Sequence, residues 1–344
     1  MKHHLFDSST GLSFVAIGGG NGLSTLLSGL KKYVHAGHSE PVWLDNLSAI
    51  VAVTDDGGSS GRLRDELQML PPGDIRNCMV ALSEDSQLLS QLFRHRFRGD
   101  GELGGHSFGN LFLAALTEIT GDFAEAVRLG NEILASKGHI YPATVADVRL
   151  AAELADGSIV KGETNIGKVG QRIKRLYLEP DDCGPMPEAL AAIAEADVIT
   201  IGPGSLFTSL LPPVLVDGVV DAIAASNAVK VFVCNLMTQP GETDGMTSLA
   251  HLQLFRDYAP QIAFDYVVVN DRPISREQAQ KYADEGAEQI GVHHSVTPET
   301  VEGAEIVYGD LLDEGEMVRH HPDKLAQVLI LCALQPRQRV TALT

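Results

Sequence analysis

Twice in this chain a short apolar run stops at a glycine-rich turn, and the residues beyond it take up helical spacing. Leu12 to Ile17 runs into Gly18-Gly19-Gly20-Asn21-Gly22, and leucines recur from Leu23 to Leu30. Val198 to Ile201 runs into Gly202-Pro203-Gly204-Ser205, with Leu206 and Phe207 behind it. Further apolar runs, Ala49 to Val53, Lys230 to Cys234 and Tyr266 to Val269, also end in polar or glycine-bearing turns. Helical patterns at Pro187 to Glu195 and Thr247 to Tyr258 fall between them. Strands apolar on both faces, alternating with helices, belong in a parallel sheet covered on both sides. In such a sheet, ligands bind at the carboxyl ends of the strands, where the turns are.

The rest of the chain fits around that frame. Asp74 to about Ala135 reads as mostly helical, with Asp74 placed to cap a helix beginning at Ile75. Val148 to Leu154, Ser158 to Lys161 and Ile173 to Leu178 read as strands about an Asp156-Gly157 turn. The chain is expected to be one α/β domain over residues 1–344, with a small β insertion over 140–178. Thr54 to Gly61 is so polar and glycine-rich that it is expected outside the core. Val198 to Val216 is long and uncharged, but Gly202, Pro203, Gly204, Pro212 and Pro213 break it, so a buried strand, tight loop and short helix are expected.

Charge narrows the partners. The formal net charge is -19, which repels nucleic acid and anionic lipid. An anionic ligand must therefore be held by local groups against the global field. Cys78, Cys183, Cys234 and Cys332 lack CxxC spacing and read as reduced thiols, two or three of them in the core. Met1 to Gly11 lacks the apolar stretch of a signal peptide, and a cytoplasmic location is expected.

Five loops carry the chemistry. Gly18, Gly19, Gly20, Asn21 and Gly22 let a pyrophosphate approach the backbone at the start of a helix. The last glycine of a dinucleotide fingerprint would fall at Leu23, so a nicotinamide dehydrogenase is the weaker reading. Asp55 and Asp56 can hold a divalent cation by one oxygen each or bond ribose hydroxyls, or simply form a turn. Arg62 and Arg64 can fork a phosphate, or pair at the surface with Asp65 or Glu66. In His106-Ser107-Phe108-Gly109-Asn110, Ser107 or Asn110 can cap the next helix and leave His106 at its amino end near the cleft. No nucleophile–base pair stands out. Gly202, Gly204 and Ser205 form a second anion cradle. In the fifth loop, Asn235, Thr238, Gln239, Glu242 and Thr243 suit sugar hydroxyls. Cradles of backbone N–H groups supply positive potential without lysines.

These segments resemble a known family. Gly18 to Ser24, Asp55-Asp56-Gly57-Gly58-Ser59-Ser60-Gly61-Arg62-Leu63-Arg64, Pro71-Pro72-Gly73-Asp74-Ile75-Arg76-Asn77, His106 to Asn110 and Gly202 to Leu206 are similar to the 2-phospho-L-lactate transferase (CofD-like) superfamily. Asn235-Leu236-Met237-Thr238-Gln239-Pro240-Gly241-Glu242-Thr243 and Arg319-His320-His321-Pro322-Asp323-Lys324-Leu325 resemble its YvcK branch, the gluconeogenesis factors. The likeness runs from about Leu12 to Leu331. It implies a Rossmann-like three-layer fold and a cytoplasmic, homo-oligomeric regulatory protein. Such a protein would bind a UDP-sugar such as UDP-N-acetylglucosamine and link gluconeogenic growth to cell shape and wall synthesis through protein partners there. Tyr282 and Arg319 are implied to grip the base and phosphates. Tyr282 by itself reads as part of an exposed helix. The transferase branch, which moves a phospholactyl group to a deazaflavin with magnesium, has a Ser-Pro-Ile-Val-Gly-Gly type of sequence where this chain has Asn235 to Thr243. If this chain is a transferase, Asp56 is its magnesium ligand and catalytic residue. Otherwise it is a binding protein without catalysis.

Overall fold

A computed structural model describes residues 11–34, 42–84, 87–291 and 300–335. The expectation about Met1 to Gly11 falls almost wholly outside these residues. The first half of the chain opens with β1 (Leu12–Gly18), α1 (Gly20–Leu30) and β2 (Leu44–Val51). Five helices follow: α2 (Gly58–Leu67), α3 (Gly73–Leu82), α4 (Gln87–Arg94), α5 (Phe108–Thr120) and α6 (Phe123–Ile133). Then come β3 (His139–Pro142), β4 (Arg149–Leu154), β5 (Ile159–Lys161), α7 (Glu163–Ile166) and β6 (Ile173–Glu179).

The second half resumes strand–helix alternation. α8 (Pro187–Glu195) leads to β7 (Val198–Ile201), and a wide helical turn at Leu206–Leu210 runs into α9 (Leu211–Val214) and α10 (Val219–Ala225). β8 (Val229–Val233), α11 (Ser248–Tyr258), β9 (Tyr266–Asn270) and α12 (Arg276–Asp284) follow. The last elements are β10 (Thr300–Val301), β11 (Ala304–Gly309), β12 (Leu312–Glu314), β13 (Val318–His320) and α13 (Pro322–Leu334).

Eight strands form one sheet in the order β10-β11-β9-β8-β7-β1-β2-β3. All neighbours are parallel except the β10–β11 pair at one edge. Alternate residues of β1 point to opposite faces. Phe14 and Ala16 join the core beneath α1, α3, α5, α6 and α13, through residues such as Leu23, Leu27, Met79, Leu113 and Leu329. Val15 and Ile17 join the core on the other face, with α8 to α11 and the small sheet. Helices cover one face, and helices with a small sheet cover the other, which is the three-layer α/β architecture expected. Burying each large apolar side chain contributes about 1.5–3 kcal/mol.

The three-stranded sheet β5-β4-β6 is antiparallel. Ile140 lies not in it but in β3, paired with Ala49 of β2 in the main sheet. Three local expectations need correction. β2 starts at Leu44, five residues before its apolar run, because Leu44 and the exposed Asn46 already pair with β1 around an irregularity at Asp45. The Thr54–Gly61 segment is not an open loop. Thr54, Ser59 and Ser60 are buried, and α2 begins at Gly58, because the Asn110 amide on α5 donates to both serine hydroxyls. Asp74 does not cap α3. The cap position is Pro72, without a side-chain bond, and Asp74 lies in the first turn.

Val198–Val216 forms a buried strand, loop and short helices. No single helix among the described residues is long and apolar enough to cross a membrane. All four cysteines are free and buried, one or two more than expected in the core.

Candidate functional site

β1 lies mid-sheet. The chain proceeds to β2 and β3 on one side, and to β7, β8 and β9 on the other. The loops leaving β1 and β7 therefore diverge to opposite faces and open a crevice at the carboxyl ends of the strands, the usual ligand position in such sheets. A cavity of ≈480 Å³ occupies this place. Its walls come from Asn21, Gly22 and Thr25 at the start of α1, Gly204 and Ser205 after β7, and Asn235, Thr238, Gln239 and Glu242 after β8. Tyr282 of α12, Glu285 just after it, and Arg319 and His320 of β13 close the far side.

Glycine is required at two of these positions for different reasons. Gly20 has φ +60°, a left-handed conformation that costs other residues strain. At Gly22, a Cβ would collide with the Pro203 carbonyl oxygen, so this glycine lets the two loops touch. Behind the cavity, Asn235 Oδ1 accepts the Gly204 N–H at 3.1 Å, and the Ser205 hydroxyl donates to Glu242 at 2.9 Å. Burial pushes the Glu242 carboxyl up, against the Ser205 bond, which lowers it. Thr238 is tied to Glu288 twice, by its N–H to the Glu288 carbonyl and by its hydroxyl from the Glu288 N–H, each at 2.8 Å. This pins the loop after β8 against the segment after α12. The Tyr282 hydroxyl accepts the Val318 N–H at 3.0 Å, so the tyrosine fixes the strand that carries Arg319. Burial lowers the His320 imidazole to about 4, so it is neutral near pH 7.

A second polar group lies outside the cavity, beside the first glycine loop. The half-buried Asp74 carboxylate accepts the Gly20 N–H, and its Oδ2 lies 2.6 Å from where a Gly19 Cβ would be. Burial, then Asp55, pushes it up to about 7, opposed by the Gly20 bond and Arg76. Asp55 Oδ1 accepts the Gly57 N–H at 2.9 Å. Asp56 Oδ1 accepts from the Thr164 N–H at 2.9 Å and its hydroxyl at 2.6 Å. Glu163, on α7, is raised well above the carboxylate range by burial and then by Asp74, Asp55, Asp56 and Glu242. Ser59 is 3.0 Å from His106 Nδ1 and receives the Asn110 amide at 3.1 Å. Ser107 caps α5 by accepting the Asn110 N–H. Burial first, then Arg62, lowers the His106 imidazole.

The sequence candidates thus separate. Asn21, Gly22, Gly204, Ser205, Asn235, Thr238, Gln239, Tyr282 and Arg319 line the cavity. Gly18 and Gly202 are held by sheet bonds, and Gly19 and Gly20 face Asp74. Asp55, Asp56, His106 and Asn110 belong to the second group. Arg62 donates to the Gly104 carbonyl at 2.7 Å. Arg64 is neither a phosphate fork nor a surface pair. It is 2% exposed and bound to Asp147 and the Val148 carbonyl. Asp65, its expected partner, binds Arg149.

Asp74, Glu163 and His320 were not among the candidates. Asp74 stood in the quoted Pro71 to Asn77 motif, where it read as a cap. Glu163 had no local signal, since its place depends on the small sheet. A magnesium ion is implied by the transferase branch. Asp56 has one oxygen engaged by Thr164 and one remaining, which suits an ion held mainly by phosphate and water. Among the described residues, no three His, Cys, Asp or Glu side chains gather as a metal site.

The family model described as 2-phospho-L-lactate transferase CofD matches residues 14–312. The gluconeogenesis factor of Halalkalibacterium halodurans is 46% identical over 316 residues, spanning 92% of this chain and 95% of that protein. That of Bacillus subtilis is 44% identical over 314 residues, spanning 91% and 95%. A crystal structure of a UPF0052-family protein from Bacillus halodurans is 45% identical, covers 93% of this chain and 99% of that one, and superposes with a TM-score of 0.85.

Proposed function

This chain belongs to the 2-phospho-L-lactate transferase CofD family, and from its gluconeogenesis-factor relatives we propose that it is a nucleotide-sugar-binding regulatory protein. UDP-N-acetylglucosamine is the ligand put forward. Its binding would adjust the protein's affinity for partners that couple gluconeogenic growth to cell-wall synthesis and shape. The observation that carries this reading is the cavity at the switch point. It joins two glycine loops to amides, hydroxyls, one arginine and one tyrosine, and the one nucleophile–base pair described, Ser59 with His106, lies outside it. In this reading the Asn21–Gly22 and Gly204–Ser205 backbones receive the pyrophosphate, with Arg319 as the charged partner. Tyr282 lies along the base. Asn235, Thr238 and Gln239 face the sugar. The experiment is calorimetric titration with UDP-N-acetylglucosamine, with and without magnesium, followed by chromatography. Saturable binding with intact ligand supports the reading, and absence of binding overturns it.

Asp56 supports a second reading, a transferase. Magnesium there would neutralise charge developing on a phosphate. Release of UMP or UDP, or transfer to a deazaflavin acceptor, would favour this reading over a regulator.

A further inference from the structure

α4 is apolar on two sides, and the fold uses one of them. Inward, Phe93 is buried, its ring 4.9 Å from Phe112 and 5.7 Å from Phe108 of α5. Outward, Leu88 and Leu92 are 77% and 41% exposed. Their four-residue spacing puts them on one ridge of the helix. From Leu88 to Arg98 the chain carries Arg94, His95, Arg96 and Arg98 and no carboxylate, in a protein of net charge -19. All three arginines are exposed. Carboxylates return only in the loop beyond, at Asp100 and Glu102.

Beside this ridge, α4 encloses a cavity of ≈580 Å³ with the end of α1 and with α3. Its polar wall consists of Ser28, Lys31, Ser90, Gln91 and Arg94, and among the described residues no carboxylate lines it. The Lys31 ammonium is held in place by donating to the Ser83 carbonyl at 3.0 Å, and the Ser90 and Ser83 hydroxyls are 3.3 Å apart. Glu84, the next carboxylate along the chain, is drawn to Lys137 at 3.6 Å. Two cations, two hydroxyls and an amide make a wall suited to phosphate.

We propose that this face docks on an anionic lipid surface, with a headgroup phosphate in the Lys31–Arg94 cavity and Leu88 and Leu92 in the bilayer interface. Arg96 and Arg98 stand at headgroup level, where an arginine can lay its stem on apolar surface and keep its charge among phosphates. The negative charge of the whole chain opposes approach, but it is screened beyond about 10 Å at 0.1 M salt, so contact is decided by the local cations. The leucines favour lipid over an acidic protein. They project from one short helix and do not line the cavity, and apolar side chains flanked by cations are how a helix lies in an interface. Two leucines give only a weak, reversible attachment.

The test is cosedimentation of the full chain with vesicles of phosphatidylcholine, and with vesicles containing about one-third phosphatidylglycerol, at low and high salt. Sedimentation is expected with the anionic vesicles, little with the neutral ones, and loss at high salt. Arg94→Gln should lower the partition about fivefold. Leu88→Ser combined with Leu92→Ser should lower it more than tenfold. These side chains are exposed, so the thermal midpoint should not move in either variant. Equal sedimentation with both kinds of vesicle, or anionic binding that neither variant weakens, overturns the proposal. Sedimentation with neither kind also overturns it and makes an acidic protein the occupant to seek.

Discussion

The two halves of the crevice start from the same pattern of strand, glycine turn and helix, and they arrive at opposite states. On the cavity side, Asn21, Gln239 and Arg319 border open volume. On the carboxylate side, Asp56 with Thr164, Asp74 with Gly20, and Ser59 with His106 and Asn110 are bonded to one another. A glycine-rich turn supplies N–H groups, but whether an anion can use them depends on which acceptor holds them first. That acceptor comes from an element distant in sequence.

The sharpest way to break this contrast is within one loop. Gly22→Ala forces a Cβ against Pro203 and pushes the two loops apart. Overpacking of this kind should cost about 3 kcal/mol, seen as a large fall in thermal midpoint together with loss of binding. Gly20→Ala meets nothing closer than the Ser209 hydroxyl at 3.6 Å, so it should cost only the left-handed strain, about 1 kcal/mol. Equal losses in denaturation experiments would mean the loops do not touch as described.

Next is the cavity wall. Among the described residues, the one hydrogen-bond contact of the Arg319 side chain is at 3.7 Å to the Met317 sulfur. Arg319→Ala should leave the thermal midpoint unchanged and weaken nucleotide binding by about 1.5–3 kcal/mol, the worth of a charge-assisted bond. Unchanged affinity in calorimetry would move the phosphates elsewhere.

On the carboxylate side the readout is stability. The folded state raises Asp74 from 3.8 to about 7, so its contribution is fully present below pH 4 and is lost as pH rises through 7. Asp74→Asn lacks that loss. Its thermal midpoint should match wild type at pH 4 and exceed it by roughly 5 °C at pH 8. A constant difference across pH would show that Asp74 is not the group titrating. The smallest effect is expected for Arg62→Ala. Arg62 binds the Gly104 carbonyl outside the cavity, so nucleotide affinity should change less than about twofold.

The sequence carried the frame where punctuation was strong. Val198–Ile201 and Pro187–Glu195 match the observed elements end to end, because Gly202 ends one and Pro187 starts the other. The cavity residues after β7 and β8 were legible for the same reason. The Thr54–Gly61 segment was misread because polarity argues for solvent, whereas Asn110 and His106 supply partners that no local pattern reveals. β11 and β13 left little trace. Ala304–Gly309 is interrupted by Glu305, and Val318–His320 is only three residues long. Asp74 had the right motif and the wrong role, since a first-turn aspartate looks like a cap until α1 is packed beside it.

One feature of the cavity bears on how the molecule comes into being. Its walls are drawn from residues near 21–25, 203–205, 235–242, 282–287 and 317–320. A chain emerging from the ribosome can form β1, α1 and β2 early, but contacts of such long separation close late. The wall bearing Arg319 is synthesised after the other walls, and α13 must then pack on α1. Until that moment there is no pocket, and any ligand is invisible to the nascent chain. A small molecule that fits the cavity therefore acts only on finished copies. It holds them against unfolding and offers no help to a truncated product.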